Sequence, residues 1–549
     1  MSAARDAESF IQGLGRPEQV QAETLLERIV RPNTTCEFGQ GHGFSSIRTV
    51  REYQRRVPVS RYEDFQPSIQ RMLRGEPNVL VTEPVRRFFV TSGSSSRPKH
   101  VPVTSSFVRD KSRAFGIYWE LVFQEHPELR CARIVTNFAD TRAEAEPPAA
   151  GLPRSSESAY WSSIAAATQL GSKPLIPRSV ARIRDSDSRY YAIARILLEE
   201  EFQAAVALNP STLLLLFEKM NEFSAFLVED VARGGISSRF EVGEELRTYV
   251  RENHPGNEAR ARALRDAIAR ASGRLLASAA WPELKLAVFW RSPMLQPYVR
   301  LLAPHLSSVA QRDYLSMASE GTMSIPVTDG ASGGVVANSI HFYEFVPEED
   351  AEKAAPDACL PHELEIDRRY VIVLSTSGGL YRYNIGDVFR VTGFVQRTPI
   401  IEFLHRVGNT CSVTGEKLTE DQVTEAMESV TQALGVAVES FTAAPADTGF
   451  PRYVFLVEFS TFPSELARRT FCAEIDRALK ACNIEYRAKR ESQRIGAPEL
   501  WVVKQGEYEA RRSRRLQQGA SDLQLKPTHL TRDPAFHRQF EIVERIHAD

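Results

Sequence analysis

The sequence predicts an α/β protein: a large N-terminal domain of mixed sheets and helices, followed by a small C-terminal α+β domain. Three observations lead there. Short β-rich runs alternate with helical stretches between Phe88 and Tyr314, the pattern of crossover units with parallel strands. A chain of 549 residues is too long for one core. The strand pattern breaks at Gln396-Arg-Thr-Pro399, and a second set of strands and helices follows. We place the two domains at 1–398 and 399–549.

Residues 1–35 read as helical and end in a polar turn at Pro32-Asn33-Thr34-Thr35. Helical patterns at 47–56 and 62–74 flank Val57-Pro58-Val59, and Glu63 and Asp64 favour the dipole at the start of the second. Phe88 to Val90 is a strand, and a helix follows from Thr104 to Gln124. A strand at Arg133 to Asn137 precedes a stretch, Ala143 to Pro177, whose Ala, Ser, Pro and Gly content reads as a loop lining a pocket. Helix 189–201 and strand Ala204 to Leu208 come next. Asn209-Pro210 then supplies an N-cap and a first-turn proline for a helix through about Val231. Helix 257–279, strand Leu284 to Trp290, a short helix Met294 to Ala303 and strand Val309 to Tyr314 follow. Strands are expected at Ser339 to Val346, at Tyr370 to Thr376, and on both sides of a bend at Asn384 to Gly386. In the small domain the order is helix 419–434, strands 436–444 and 453–459, helix 463–482, strand 500–503 and helix 507–517.

Composition narrows the function classes. Hydrophobic residues make up 42% and charged residues 25% of the chain, as in soluble globular proteins. A formal net charge of −2 leaves no basic footprint for nucleic acid or an anionic membrane. No run approaches the length of a transmembrane helix, and the N-terminus lacks a signal-peptide core, so a cytoplasmic protein is expected. The six cysteines have no Cys-x-x-Cys spacing and no adjacent His cluster, which points to reduced thiols and away from a zinc site.

Three stretches carry chemistry. In Thr91-Ser92-Gly93-Ser94-Ser95-Ser96-Arg97-Pro98-Lys99, small residues let backbone N–H groups approach a polyanion; the hydroxyls add donors and Lys99 a mobile charge. The spacing is not that of a P-loop, and a plain polar loop is the competing reading. Tyr314-Leu-Ser-Met-Ala318-Ser319-Glu320-Gly321-Thr322 sets one carboxylate among small residues after a strand. Such a group suits a hydrated Mg²⁺ that also takes phosphate oxygens, though these residues equally favour an ordinary turn. In Tyr381-Arg-Tyr-Asn-Ile-Gly-Asp387, the carboxylate can accept from a ribose diol. The structural alternative is that Asp387 caps the turn and pairs with Arg382 or Arg390.

Taken in this order, the three stretches resemble the motifs of the adenylate-forming (firefly luciferase-like) superfamily. A narrower match runs from about residue 20 to 530. Val57-Pro-Val-x-x-Tyr62-Glu-Asp, Asn209-Pro-Ser, Trp281-Pro, Phe342-Tyr-Glu-Phe345, Gly379-Leu-Tyr-Arg-Tyr-x-x-Gly-Asp387, Cys482-Asn-x-x-Tyr486 and Gly-Ala-Ser-x-x-Gln-x-Lys526 resemble the Gretchen Hagen family. These are acyl-acid amido synthetases that conjugate auxin, jasmonate or benzoates to amino acids. The chain looks like a divergent, bacterial-type member. It carries Ser94 to Ser96 and Arg97 where the family has Thr and a Gly, and Trp290-Arg-Ser-Pro-Met294 in place of a Gly-Ser-Met stretch. Region 140–175 also departs from the family.

The resemblance implies an ATP-dependent ligase. A small carboxylic acid attacks the α-phosphate of ATP, giving acyl-AMP and pyrophosphate; an amino acid amine then displaces AMP. The alternatives are an adenylating ligase with another acceptor, such as coenzyme A, and a non-catalytic small-acid-binding relative. By resemblance, Ser92, Gly93, Ser94, Ser95 and Lys99 bind phosphate. Ala318, Ser319, Glu320, Gly321, Thr322 and Phe345 line the adenylate, Glu320 also holding Mg²⁺. Asp387 takes the ribose, Arg406 and Lys417 lie at the hinge, and Lys526 swings in with a mobile small domain to act with Glu320 in catalysis. Tyr160, Trp161 and Tyr314 are expected at the acyl or amine substrate. No nucleic acid or membrane partner is expected, and the protein is expected to be a monomer or weak dimer.

Overall fold

The computed structural model describes residues 2–91, 99–136, 152–155, 157, 160–161, 175–183, 185–351, 353, 355–407, 410–411, 413, 416, 418–446, 451–491, 495–517 and 527–547. The chain divides into two compact units, Met1–Phe403 and Leu404–Asp549.

In the large unit, strands β1 (Arg87–Thr91) and β2 (Lys99–Val103) pair antiparallel, Thr91 opposite Lys99. The chain therefore returns as a strand before the expected helix begins. Val101 and Val103 are buried, so two β-branched side chains hold β2 in the sheet. Thr104 then caps the helix Ser105–Glu125, its hydroxyl accepting from Phe107 N–H at 3.1 Å. This helix buries Phe107, Ala114, Ile117, Tyr118 and Leu121 at helical spacing, and with them three charged residues, Asp110, Lys111 and Glu120.

Strands β3 (Ile134–Val135), β4 (Ala204–Val206), β5 (Leu286–Val288) and β6 (Ala310–Arg312) form a parallel sheet in that order, with helices between them. This is the one sheet of the large unit, among the described residues, in which every pairing is parallel. From Ser316 onward the connections shorten, and strands joined by tight turns pair antiparallel. Seven strands follow: β7 (Ser316–Ala318), β8 (Gly321–Ile325), β9 (Gly334–Val336), β10 (Phe342–Pro347), β11 (Arg369–Ser375), β12 (Tyr383–Val395) and β13 (Thr398–Arg406). Their order across the sheet is β10-β11-β12-β13-β9-β8-β7.

Two expected helices are each divided. Phe223 leaves the helical region and separates Pro210–Glu222 from Ser224–Arg233. Positive φ at Ser272 (53°) and Gly273 (88°) ends Glu258–Arg270 well before Ala277–Ala280. A helix at Glu244–Asn253 had no expectation.

The small unit has its own core. Strands β14 (Val438–Pro445), β15 (Tyr453–Phe459), β16 (Glu499–Val503) and β17 (Ile542–His547) lie in that order, and only β15 and β16 are parallel. Helices Glu420–Leu434 and Glu465–Cys482 supply Val423, Met427, Phe471 and Ile475 to the core. All six cysteines are free thiols. Among the described residues, no helix is long and apolar enough to cross a membrane.

Candidate functional site

The second motif is a hairpin, and the site is best built outward from it. β7 and β8 pair with Ala318 opposite Gly321, so Ser319 and Glu320 form the tip and Glu320 is 5% exposed. The tip is tightly seated. A Cβ on Gly321 would lie 3.1 Å from His341 Cδ2, 3.2 Å from His341 Nε2 and 3.2 Å from Leu374 Cδ1. The Tyr343 hydroxyl donates to the Thr322 carbonyl from β10. His341 is fully buried and stacks on Phe107 with ring centroids 5.8 Å apart. Neither of its ring nitrogens has a hydrogen-bond partner among the described residues. Burial, followed by the charges of Lys111 and Arg28, holds this imidazole neutral, well below its ordinary range.

On one side of the tip stands Tyr62, at the start of helix Tyr62–Leu73. Its hydroxyl accepts from His100 N–H at 2.7 Å, and Lys99 Nζ sits 5.2 Å from its ring centroid. Burial first raises the pKa of Tyr62, and the Glu320 carboxylate adds to the shift. Lys99 and Glu320, 221 positions apart in the chain, thus both act on one tyrosine ring.

On the other side is Lys111, which sequence reasoning missed because a lysine in an amphipathic helix reads as a solvated charge. It is fully buried. Its ammonium donates to the Ala318 carbonyl at 2.6 Å and pairs with the Glu157 carboxylate. Trp161 Nε1 donates to the same Glu157 oxygen, Oε1, at 3.0 Å. Aromatic rings surround the pair. Trp161 lies 5.4 Å from Phe115, Phe115 lies 6.3 Å from Tyr314, and Tyr314 lies 6.4 Å from Trp290. Tyr160 packs against Trp161 at 5.2 Å and Phe89 at 5.5 Å, with the Arg87 guanidinium 4.3 Å over its ring. Burial and then Glu157 push the Tyr314 hydroxyl above its usual range.

The strand before the motif is held from behind. Asp313 accepts from Arg291 N–H at 3.0 Å and Gly333 N–H at 2.7 Å. Burial outweighs those bonds and raises its carboxyl to about 7. The buried guanidinium of Arg312 binds Glu125 at 2.8 Å and Asp329 at 3.0 Å, and His126 Nε2 meets Asp329 at 2.6 Å. That His–carboxylate group has metal-ligand spacing, but Arg312 already gives its carboxylates a cation.

The third motif differs from its expected form. Asn384 to Gly386 is a bulge within the single strand β12, where Val371 opposes Val388 and Val373 opposes Asn384. Asp387 follows Gly386, whose φ is 81°, and is 5% exposed. The two arginines named for it each bind another carboxylate. Arg382 forks onto Glu344 at 2.8 and 2.9 Å and donates to Gln54 and Val57 carbonyls, while Arg390 binds Glu402 at 2.7 Å. Asp387 has other interactions.

Of the expected site residues, Ala318, Ser319, Glu320, Gly321, Thr322, Tyr314, Lys99, Tyr160 and Trp161 are brought together around this hairpin by the contacts described. Phe345 is not among them: it is fully buried in β10 and packs 6.4 Å from Tyr370. Arg406 ends β13, in the small unit. Ser92, Gly93, Ser94, Ser95, Lys417 and Lys526 lie outside the described residues.

The fold that carries this hairpin has a counterpart among solved structures. The acyl acid amido synthetase GH3.15 complexed with 2,4-DB matches with a TM-score of 0.84 at 20% identity, over 99% of this chain and 97% of that one. The two share a fold. Profiles of the GH3 family match the sequence in order: the N-terminal domain over residues 7–310, the central domain over 334–406 and the C-terminal domain over 421–535. The chain belongs to the GH3 family. Among similar proteins, an Arabidopsis thaliana indole-3-acetic acid-amido synthetase, GH3.4, is 24% identical over 543 residues, covering 94% of this chain and 90% of its own. A jasmonoyl–L-amino acid synthetase of Oryza sativa subsp. japonica, GH3.5, is 22% identical over 562 residues, covering 96% of this chain and 94% of its own.

Proposed function

We propose that this protein is an ATP-dependent acyl-acid amido synthetase. It activates a small carboxylic acid as acyl-AMP, releasing pyrophosphate, and transfers the acyl group to an amino acid amine, releasing AMP. The observation that carries this reading is the ordered match of all three GH3 domain profiles, with a buried carboxylate at the tip of the hairpin that the central motif forms.

A carboxylate is a poor electrophile until its oxygen becomes a good leaving group, and adenylation provides one. The protein's part is positioning and charge neutralisation. In this reading Ser92 to Ser95 and Lys99 bind the phosphates, Lys99 reaching them from the start of β2. Ala318 to Thr322 line the adenylate, and Asp387 takes the ribose. Glu320 fits Mg²⁺, a hard ion that takes one or two carboxylates together with water and phosphate oxygens. When bound, the ion would neutralise phosphate charge. Lys111 fixes the hairpin through the Ala318 carbonyl, and the rings of Phe115, Trp161 and Tyr314 give the acyl group an apolar wall. Residues 1–398 would carry the ATP and acid sites, and the small domain, with Arg406 and Lys417 at its hinge, would bring Lys526 to the reacting oxygens. A monomer or weak dimer in the cytoplasm remains our expectation.

The test is pyrophosphate release from Mg-ATP across a panel of carboxylic acids, with and without mixed amino acids or coenzyme A. Acid-dependent release, with amide found by mass spectrometry only when amino acid is added, is the expected result. Thioester formed with coenzyme A and no amide would move the protein to another class of adenylating ligase. Binding of acid without turnover would make it a non-catalytic relative.

A further inference from the structure

We propose that Glu157 receives the amine substrate: its carboxylate binds the incoming ammonium group and accepts the proton that must leave before the nitrogen attacks. The inference rests on the amido synthetase reading and assigns a residue to its second half-reaction.

Both donors to Glu157 use one oxygen. The Lys111 ammonium and the Trp161 indole N–H each donate to Oε1, and among the described residues no donor is on Oε2. A carboxylate gripped twice through one oxygen is fixed in orientation, with its second oxygen available as an acceptor. The Glu157 side chain is 12% exposed, whereas Lys111 is fully buried. The pair is therefore closed on the lysine side and reachable on the glutamate side. Lys111 also ties the pair to the Ala318 carbonyl, two residues before Glu320, so the free acceptor is held to the hairpin that carries the adenylate motif. The rings of Trp161, Phe115 and Tyr314 flank it, and a cation entering between them gains from their faces as well as from the carboxylate.

Aminolysis needs such a group. An amino acid brings its nitrogen as an ammonium ion, which has no lone pair to give. One proton passes to Glu157 Oε2, and the freed lone pair forms the C–N bond at the acyl carbon. The bond from that carbon to the phosphoryl oxygen breaks, and AMP leaves with the electron pair. The nitrogen loses its second proton to water, and Glu157 returns its own to solvent. Adenylation involves no ammonium group, so a carboxylate with this role acts in one half-reaction and not in the other.

The experiment compares Glu157→Gln with wild type in three assays: ATP–pyrophosphate exchange, amide formation with amino acids, and hydroxamate formation with hydroxylamine. Hydroxylamine is uncharged near neutral pH and needs neither ammonium recognition nor a base. Relative to exchange, amide formation should fall roughly a hundredfold. Hydroxamate formation relative to exchange should change by less than about threefold. Trp161→Phe removes one of the two donors and leaves the ion pair in place. Because Trp161 also belongs to the acyl wall, KM for the acid can move too; KM for the amine should rise about fivefold and by a larger factor than KM for the acid, which keeps the proposal testable if Glu157→Gln does not fold. Amide and hydroxamate formation falling together, or an unchanged amine KM in Trp161→Phe, overturns the assignment. Wild-type protein that exchanges pyrophosphate with none of the acids overturns the parent reading instead.

Discussion

Adding one methyl group at Gly321 tests the seating of the hairpin tip. The new Cβ in Gly321→Ala would stand 3.1 and 3.2 Å from two atoms of His341 and 3.2 Å from Leu374 Cδ1. Relaxed carbon contacts lie at about 3.5–4.0 Å, so three contacts must each open by a few tenths of an ångström. His341 is fully buried between the rings of Phe107 and Tyr343, which leaves its imidazole little room to yield. Overpacking of this kind costs about 1–3 kcal/mol. If the strand yields instead of the ring, Glu320 moves with it. A shift well under 1 Å at a reacting centre should then lower pyrophosphate exchange about tenfold. Urea unfolding and exchange kinetics measure the two effects. Removing the obstacle should rescue both: in Gly321→Ala/His341→Ala the methyl enters the space of the ring, whose two unpartnered buried nitrogens are lost without breaking a hydrogen bond. The double-mutant cycle should show favourable coupling of at least about 0.5 kcal/mol. A Gly321→Ala protein with wild-type stability and exchange, or a double variant no better than the sum of its singles, would refute the reasoning.

Other predictions follow from the same contacts. Tyr62→Phe keeps the ring beside Lys99 but strands the His100 N–H; KM for ATP should rise a few-fold, with about 1 kcal/mol lost from stability in urea unfolding. Arg382→Met leaves Glu344 as a buried, unpaired carboxylate, and denaturant unfolding should show a loss of about 3–5 kcal/mol. Asp313 has a raised carboxyl, so the folded state holds its proton more tightly than the unfolded chain. Its contribution is fully present below about pH 4 and is lost as pH rises through about 7. Compared with Asp313→Asn, the wild type should lose stability between pH 4 and 7 by a difference on the order of 4 kcal/mol, measured by urea unfolding at each pH. A parallel pH dependence in the two proteins would contradict that assignment.

Local signals explain which parts of this molecule were readable. The Thr104 cap, the Asn209-Pro210 helix start and the Gly-rich third motif depend on neighbours within a few residues, and each appears in the structure at or near its expected place. The first three strands of the antiparallel sheet, β7 to β9, were less legible, because strands of three to five residues leave little periodicity to read. The site divides in the same way. Glu320 announces itself as a carboxylate among small residues, whereas Lys111 and Glu157 do not. Lys111 sits in an amphipathic helix, where a lysine reads as a solvated charge, and Glu157 lies in a stretch with no period at all. Only the fold brings them to one oxygen beside Ala318. What the motifs could not convey is that this chain packs Lys111 and the neutral His341 against its hairpin, with Glu157 held to it through Lys111, from three separate segments. A buried Lys–Glu pair with one oxygen to spare is costly to keep as a packing element alone. It becomes intelligible if the second substrate arrives carrying a positive charge.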